Sequence, residues 1–128
     1  MTKDYASITS DISAYTGELR KLIPDVMQGF GNMAKAATKT EALDEKTKEL
    51  VALALGVAAH CDGCLGFHTK ALARLGATRA EVAETLGLAV YMGGGPSLMY
   101  AADALRSFDQ FQPDSSAPTG CAPTGCCG

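Results

Sequence analysis

Apolar residues recur along this chain at helical spacing, and no stretch sustains the alternation of a strand. The pattern predicts a first helix over Ser7–Ile23, stopping before Pro24, whose fixed φ suits the first turn of the next. That second helix, Pro24–Thr38, carries Gly29 and Gly31, which weaken it. A third opens at Asp44, a good N-cap, and sets Leu50, Leu53, Ala54 and Val57 in one core-facing stripe. The fourth runs from about Asp62 to Leu75 and ends at Gly76, a C-cap residue. Thr78 and Glu81 form a capping box for the fifth, whose stripe is Val82, Leu86, Ala89 and Val90. Gly93-Gly94-Gly95-Pro96 breaks the chain sharply. A sixth helix then aligns Leu98, Ala101, Ala102, Leu105 and Phe108. The expectation is a single all-α domain of about six helices over residues 1–112.

After Gln112 the composition changes. Pro113–Gly128 is Pro, Ser, Gly, Thr and Cys, with the repeat Ala117–Cys121 and Ala122–Cys126. It cannot bury a core and is expected to be a flexible tail. The 128 residues suffice for one domain, and 47% apolar with 20% charged residues is an ordinary globular balance. A net charge of −3 and 6% aromatics, with no tryptophan, argue against nucleic acid or an anionic membrane as partner. Met1–Tyr5 lacks the charged start and apolar run of a signal peptide, and the longest apolar run, 50–59, falls short of the roughly 18 residues that span a bilayer. A cytoplasmic protein is the expectation, and there a C-x-x-C pair reads as redox or metal chemistry.

Cys61, Cys64 and His68 stand at i, i+3 and i+7, one stripe if all three share the fourth helix. A pair at a helix start meets unpaired N–H groups and the macrodipole, which favour a thiolate. The two thiols can close a disulfide by local motion, and His68 is placed to take the Cys64 proton. Glu49 sits at the edge of the third helix's stripe, beside the small residues Ala52 and Gly56, where a carboxylate can orient an imidazole. Twelve helical residues from Glu49 to Cys61 span about 18 Å. Contact with His68 is therefore expected to need a bridging water, a tilted crossing or a neighbouring subunit. Two other readings of the pair are buried small residues and a structural zinc site, for which His60 or the tail would supply the missing ligand. Tyr91 and Tyr100 read as packing residues, and the five methionines as core filler. Cys121, Cys126 and Cys127 read as exposed thiols, as an arm feeding electrons to Cys61–Cys64, or as soft-metal ligands.

Glu49-x11-Cys61-x2-Cys64-x3-His68, with the Leu75–Glu81 turn, resembles the AhpD-like (alkylhydroperoxidase D) branch of the carboxymuconolactone decarboxylase family over roughly residues 20–110. The resemblance implies an all-α fold assembled as homotrimers or homohexamers. It also implies peroxide reduction by a dithiol in antioxidant defence, with His68 and Glu49 relaying the proton. By that resemblance Cys64 attacks the peroxide, Cys61 resolves it, and a small or protein dithiol resets the pair without an organic cofactor. Family members often carry a histidine between the cysteines, where this chain has Gly63; His60 is a weak substitute. Lactone decarboxylation, the family's namesake reaction, is the rival activity, and its acid–base chemistry needs no dithiol. A metal- or metalloid-binding thiol protein using the tail is the non-enzymatic rival.

Overall fold

The computed structural model describes residues 2–113. They form six helices: α1 (Tyr5–Leu22), α2 (Pro24–Thr38), α3 (Glu45–Ala58), α4 (Asp62–Arg74), α5 (Arg79–Gly93) and α6 (Gly95–Gln110). The chain is all-α among the described residues, as its periodicity predicts. The predicted boundaries hold to within two residues, and the differences follow the caps. Asp4 accepts from the amides of Ala6 and Ser7, so α1 starts at Tyr5 rather than Ser7. The Thr78–Glu81 capping box forms with both of its hydrogen bonds. The glycine break is one residue wide. Gly94 adopts φ 77°, and α6 begins beside it with Pro96 in its first turn.

The hairpins α3–α4 and α5–α6 pack on one another, and α1 lies across α4. Between them sit Leu53, Val57, Leu65, Leu72, Val82 and Phe108, all essentially without solvent contact. Burying each such side chain stabilises the fold by about 1.5–3 kcal/mol before conformational entropy is counted. The inner face of α6 differs from the predicted stripe. Ser97, Ala101, Ala104, Ser107 and Phe108 are buried, whereas Leu98 and Ala102 are exposed. Small residues let α6 approach α4 closely, and the Ser107 hydroxyl is satisfied there by Thr69 Oγ1 at 2.5 Å. The larger Leu98 and Leu105 instead line a shallow apolar groove with Leu86 and Val90 of α5.

α2 buries none of its fifteen residues. Val26, Phe30 and Met33, spaced by four and three, leave one apolar stripe open to solvent. Met92 and Met99 are exposed as well, so three of the five methionines are surface residues rather than core filler. Tyr91 is 81% exposed and takes no part in the core.

Candidate redox site

The site is built at the reversal between α3 and α4. At the end of α3 the amide of Cys61 bonds the carbonyl of Gly56 and that of His60 bonds Val57, both at 3.1 Å. This is a Schellman closure. His60 occupies its left-handed position with φ 56°, where glycine is the usual residue. The turn delivers Cys61 in extended geometry as the N-cap of α4. Its sulfur accepts the Cys64 amide at 3.1 Å. Cys61 is therefore not on the helix, and the expected three-residue stripe reduces to Cys64 and His68, one turn apart. The two cysteines are nonetheless joined as a disulfide, with their Cα atoms 5.2 Å apart. Both are partly buried.

Two glycines allow helices to close on this turn from either side. A Cβ on Gly56 of α3 would stand 3.0 Å from the Cys64 Cβ. A Cβ on Gly63 would stand 2.8 Å from Ile12 Cδ1 of α1. A side chain at position 63, between the cysteines, would require the Ile12 Cδ1 methyl to move. Ile12 fills that space. Gly66, one turn on, is likewise covered by Thr9 and Tyr5 of α1.

Glu49 and His68 meet directly, with Nδ1 to Oε2 at 2.6 Å. The expected gap does not exist, and the contact needs no bridging water or second subunit. The α3–α4 hairpin turns at His60, eleven residues after Glu49 and eight before His68, an offset of three residues or about 4.5 Å of axial rise. Two extended side chains span that. Glu49 is 7% exposed, and His68 reaches partway to solvent. An ionised carboxylate only accepts, so Nδ1–H donates to Glu49 and the neutral ring keeps its lone pair on Nε2. The pair fixes both the ring's tautomer and its orientation, one turn beyond Cys64.

His60, the weak substitute for the histidine the resemblance suggests at position 63, is engaged on α6. Its ring stacks on Tyr100 of α6, with centroids 4.6 Å apart and an interplanar angle of 7°. Tyr100 is thus a packing residue, of the turn as well as against the core. Lys3 was not legible as part of this region. Its Nζ bonds Asp103 Oδ2 and Asp62 Oδ1, each at 2.9 Å, and lies 5.3 Å from the Tyr100 ring centre. The two carboxylates, Asp103 foremost, hold the ammonium well above the usual lysine range. Beside it the Tyr5 phenol, pushed up to about 12 chiefly by burial, has no hydrogen-bond partner. Nothing in the sequence links position 3 to positions 62 and 103, because the link is purely tertiary.

Among the described residues no three His, Cys, Asp or Glu side chains are grouped to hold a metal ion. Cys121, Cys126 and Cys127 lie outside the described residues. The described residues thus define a helical protein with a C-x-x-C disulfide at a helix start and a Glu–His pair one turn away. The model of the carboxymuconolactone decarboxylase family matches residues 24–107, and the chain belongs to that family. Its Glu-Cys-Cys-His spacing is consistent with the AhpD-like branch. α1, which covers Gly63 and Gly66, lies before the matched segment. A carboxymuconolactone decarboxylase family protein from Legionella pneumophila, solved in its apo form, is 58% identical with a TM-score of 0.82, covering 84% of this chain and 96% of that one. An uncharacterized protein from Cupriavidus necator is 42% identical over 109 residues, 85% of this chain and 96% of its own length. An uncharacterized protein of the cox locus of Paracoccus denitrificans is 31% identical over 98 residues, covering 77% and 88%.

Proposed function

We propose that this protein is a thiol-dependent peroxidase that cycles the Cys61–Cys64 pair. The observation that carries this reading is the Glu49–His68 pair at 2.6 Å, one turn beyond a cysteine of a disulfide-forming pair. In the reduced protein the Cys64 thiolate attacks a peroxide oxygen, the O–O bond breaks, and the departing alkoxide takes a proton from the His68 imidazolium. Cys64 becomes a sulfenic acid. The Cys61 thiol displaces its hydroxyl as water and forms the disulfide. An external dithiol returns two electrons and two protons, and no organic cofactor takes part. The partners are a peroxide, a dithiol reductant and further copies of the chain in the cytoplasm, and the open stripe of Val26, Phe30 and Met33 on α2 suits a homotrimer or homohexamer.

The test is peroxide consumption with a dithiol supplied. His68→Ala is expected to slow the peroxide step about 100-fold, the lower range for a positioned acid–base group. Glu49→Gln, which keeps the shape but not the charge, is expected to slow it about tenfold, or about 1.4 kcal/mol. Wild-type rates in both variants would remove the relay from the mechanism. Lactone decarboxylation needs no dithiol. Retention of lactone turnover by a Cys61→Ser/Cys64→Ser chain, with no peroxide consumed by the parent, would replace the peroxidase reading.

A further inference from the structure

Beside the Cys61–Cys64 turn stands a charged residue that the peroxide cycle leaves unused. Asp62 directly follows Cys61 and opens α4, so its carboxylate stands at the helix start that holds the pair. Among the described residues its side chain bonds only Lys3, whose Nζ lies 2.9 Å from Oδ1. The same ammonium meets Asp103 Oδ2 at 2.9 Å, and Arg106 Nη1 meets the other oxygen of Asp103 at 2.7 Å. Asp62, Lys3, Asp103 and Arg106 therefore form a row that alternates in sign and is neutral as a whole. Asp103 keeps a cation in Arg106 if Lys3 is removed, whereas Asp62 keeps none. On the α3 side Glu49 and His68 pair with each other, and His60 is stacked on Tyr100. Lys3 is held in place by more than its ion pairs. Gln110 Nε2 donates to the Lys3 carbonyl at 2.9 Å, and Gln110 Oε1 accepts the Tyr5 amide at 2.8 Å. The Tyr5 ring, without solvent contact, seats against Gly66 of α4. The chain before α1 is thus fastened to both α4 and α6, and it lies before the segment that the family model matches.

We infer that Lys3 is a positioning residue for the C-x-x-C pair, acting through Asp62 so that Cys61 can leave as a thiolate when the disulfide is reduced. The role rests on the cycling of that pair. A thiolate of an external dithiol attacks Cys64 Sγ, the Cys61–Cys64 bond breaks, and its electron pair departs with Cys61. The Cys64 amide, 3.1 Å from that sulfur, receives the new charge. The reductant's second thiolate then displaces Cys64 from the mixed disulfide. Two electrons and the two protons of the external dithiol end on the two cysteines. A better-stabilised thiolate leaves faster, so the charge beside Cys61 sets the rate of the first step. An uncompensated carboxylate on the next residue opposes that thiolate, and the Lys3 ammonium cancels it. Lys3 and Asp62 are both partly exposed, so water and salt screen the effect and keep it modest.

The experiment uses the full chain. In Cys64→Ser the tryptic peptide Glu49–Lys70 carries Cys61 as its one cysteine, so its alkylation is followed by mass apart from every other thiol. Iodoacetamide, which is uncharged, is applied to the reduced protein from pH 5 to pH 10. Adding Lys3→Met is expected to slow alkylation of Cys61 about threefold at pH 7 and to leave the high-pH plateau unchanged. Lys3→Arg should keep the parent profile. Lys3→Met with Asp62→Asn should restore it, because the row is again neutral, and 1 M salt should shrink the loss seen with Lys3→Met alone. In chains that retain both cysteines, dithiothreitol should reduce Cys61–Cys64 about threefold more slowly with Lys3→Met, and at the parent rate once Asp62→Asn is added. An unchanged profile in Lys3→Met overturns the inference. So does a loss that Asp62→Asn fails to repair, since the N-terminal segment would then act by its packing and not by its charge. The peroxidase reading is judged separately, by peroxide consumption in one turnover of the pre-reduced parent. Failure there, with the alkylation profiles as expected, would condemn that reading alone.

Discussion

α3 and α4 end in the same closure and on different residues. After α4, Gly76 adopts φ 76°, its amide bonds Ala73 and the next amide bonds Leu72. After α3, the same two bonds form around His60 at φ 56°. The left-handed region costs a residue with a side chain about 1–2 kcal/mol relative to glycine. The chain therefore uses the unstrained solution at one reversal and the strained one at the reversal that holds Cys61. What offsets the strain is visible: the His60 ring stacks on Tyr100, and an aromatic pair of that kind contributes about 0.5–1.5 kcal/mol. The turn that carries Cys61 is thus held from outside itself, by α6, whereas the α4 end is held by its own backbone.

The largest expected effect is at the unstrained end. Gly76→Val should lower unfolding stability by about 1–2 kcal/mol in a denaturant titration, since no stack is at hand to offset the new strain. A variant as stable as the parent would mean that the closure tolerates a side chain unaided, and the two helix ends would no longer differ in kind. Next comes a double-mutant cycle on the strained end. His60→Gly should change stability little in the parent, because relief of strain and loss of the stack nearly cancel. In a Tyr100→Leu background the same change should stabilise by about 1 kcal/mol, and equal effects in both backgrounds would show that Tyr100 does not support the turn.

The smallest effect concerns how helices begin. Three carboxyls at helix starts are held below their ordinary values, which are 3.8 for Asp4 and Asp44 and 4.5 for Glu81. The Ser7 hydroxyl does this for Asp4, the Thr47 hydroxyl for Asp44 and the Lys46 ammonium for Glu81. A folded-state value below the unfolded one means that the unfolded chain protonates first as the solution is acidified. Their contribution is therefore whole above the ordinary carboxylate range and is lost as pH falls through the lowered values, from about pH 4 downward. Urea midpoints measured down that range should decline, and less steeply in Asp44→Asn. An equal slope in that variant would assign the acid sensitivity elsewhere.

Much of the site was legible because local chemistry announces itself. Cys61, Cys64 and His68 stand close in sequence, and the Thr78–Glu81 box forms from the residues that predict it. Glu49 was legible as a type of residue in a suggestive place, but its distance from His68 was not, since helical rise alone says nothing of where a hairpin turns. The inner face of α6 was misread because apolarity favours Leu98 and Ala102, while close helix approach selects Ser97, Ala104 and Ser107. Ile12 and Lys3 carried no signal at all. Each matters only through what it meets: Ile12 through the missing side chain of Gly63, Lys3 through carboxylates 59 and 100 positions away.

By itself, then, the sequence determined the six helices, the caps at Asp44, Gly76 and Thr78, and the C-x-x-C pair, because propensity, capping and i, i+3 proximity act within a few residues. Only the tertiary structure decided that Cys61 caps α4 instead of riding on it, that Glu49 bonds His68, and that α1 covers the C-x-x-C turn. Those outcomes depend on which surfaces of separate helices can approach one another, and that was set by the absence of side chains at Gly56, Gly63 and Gly66.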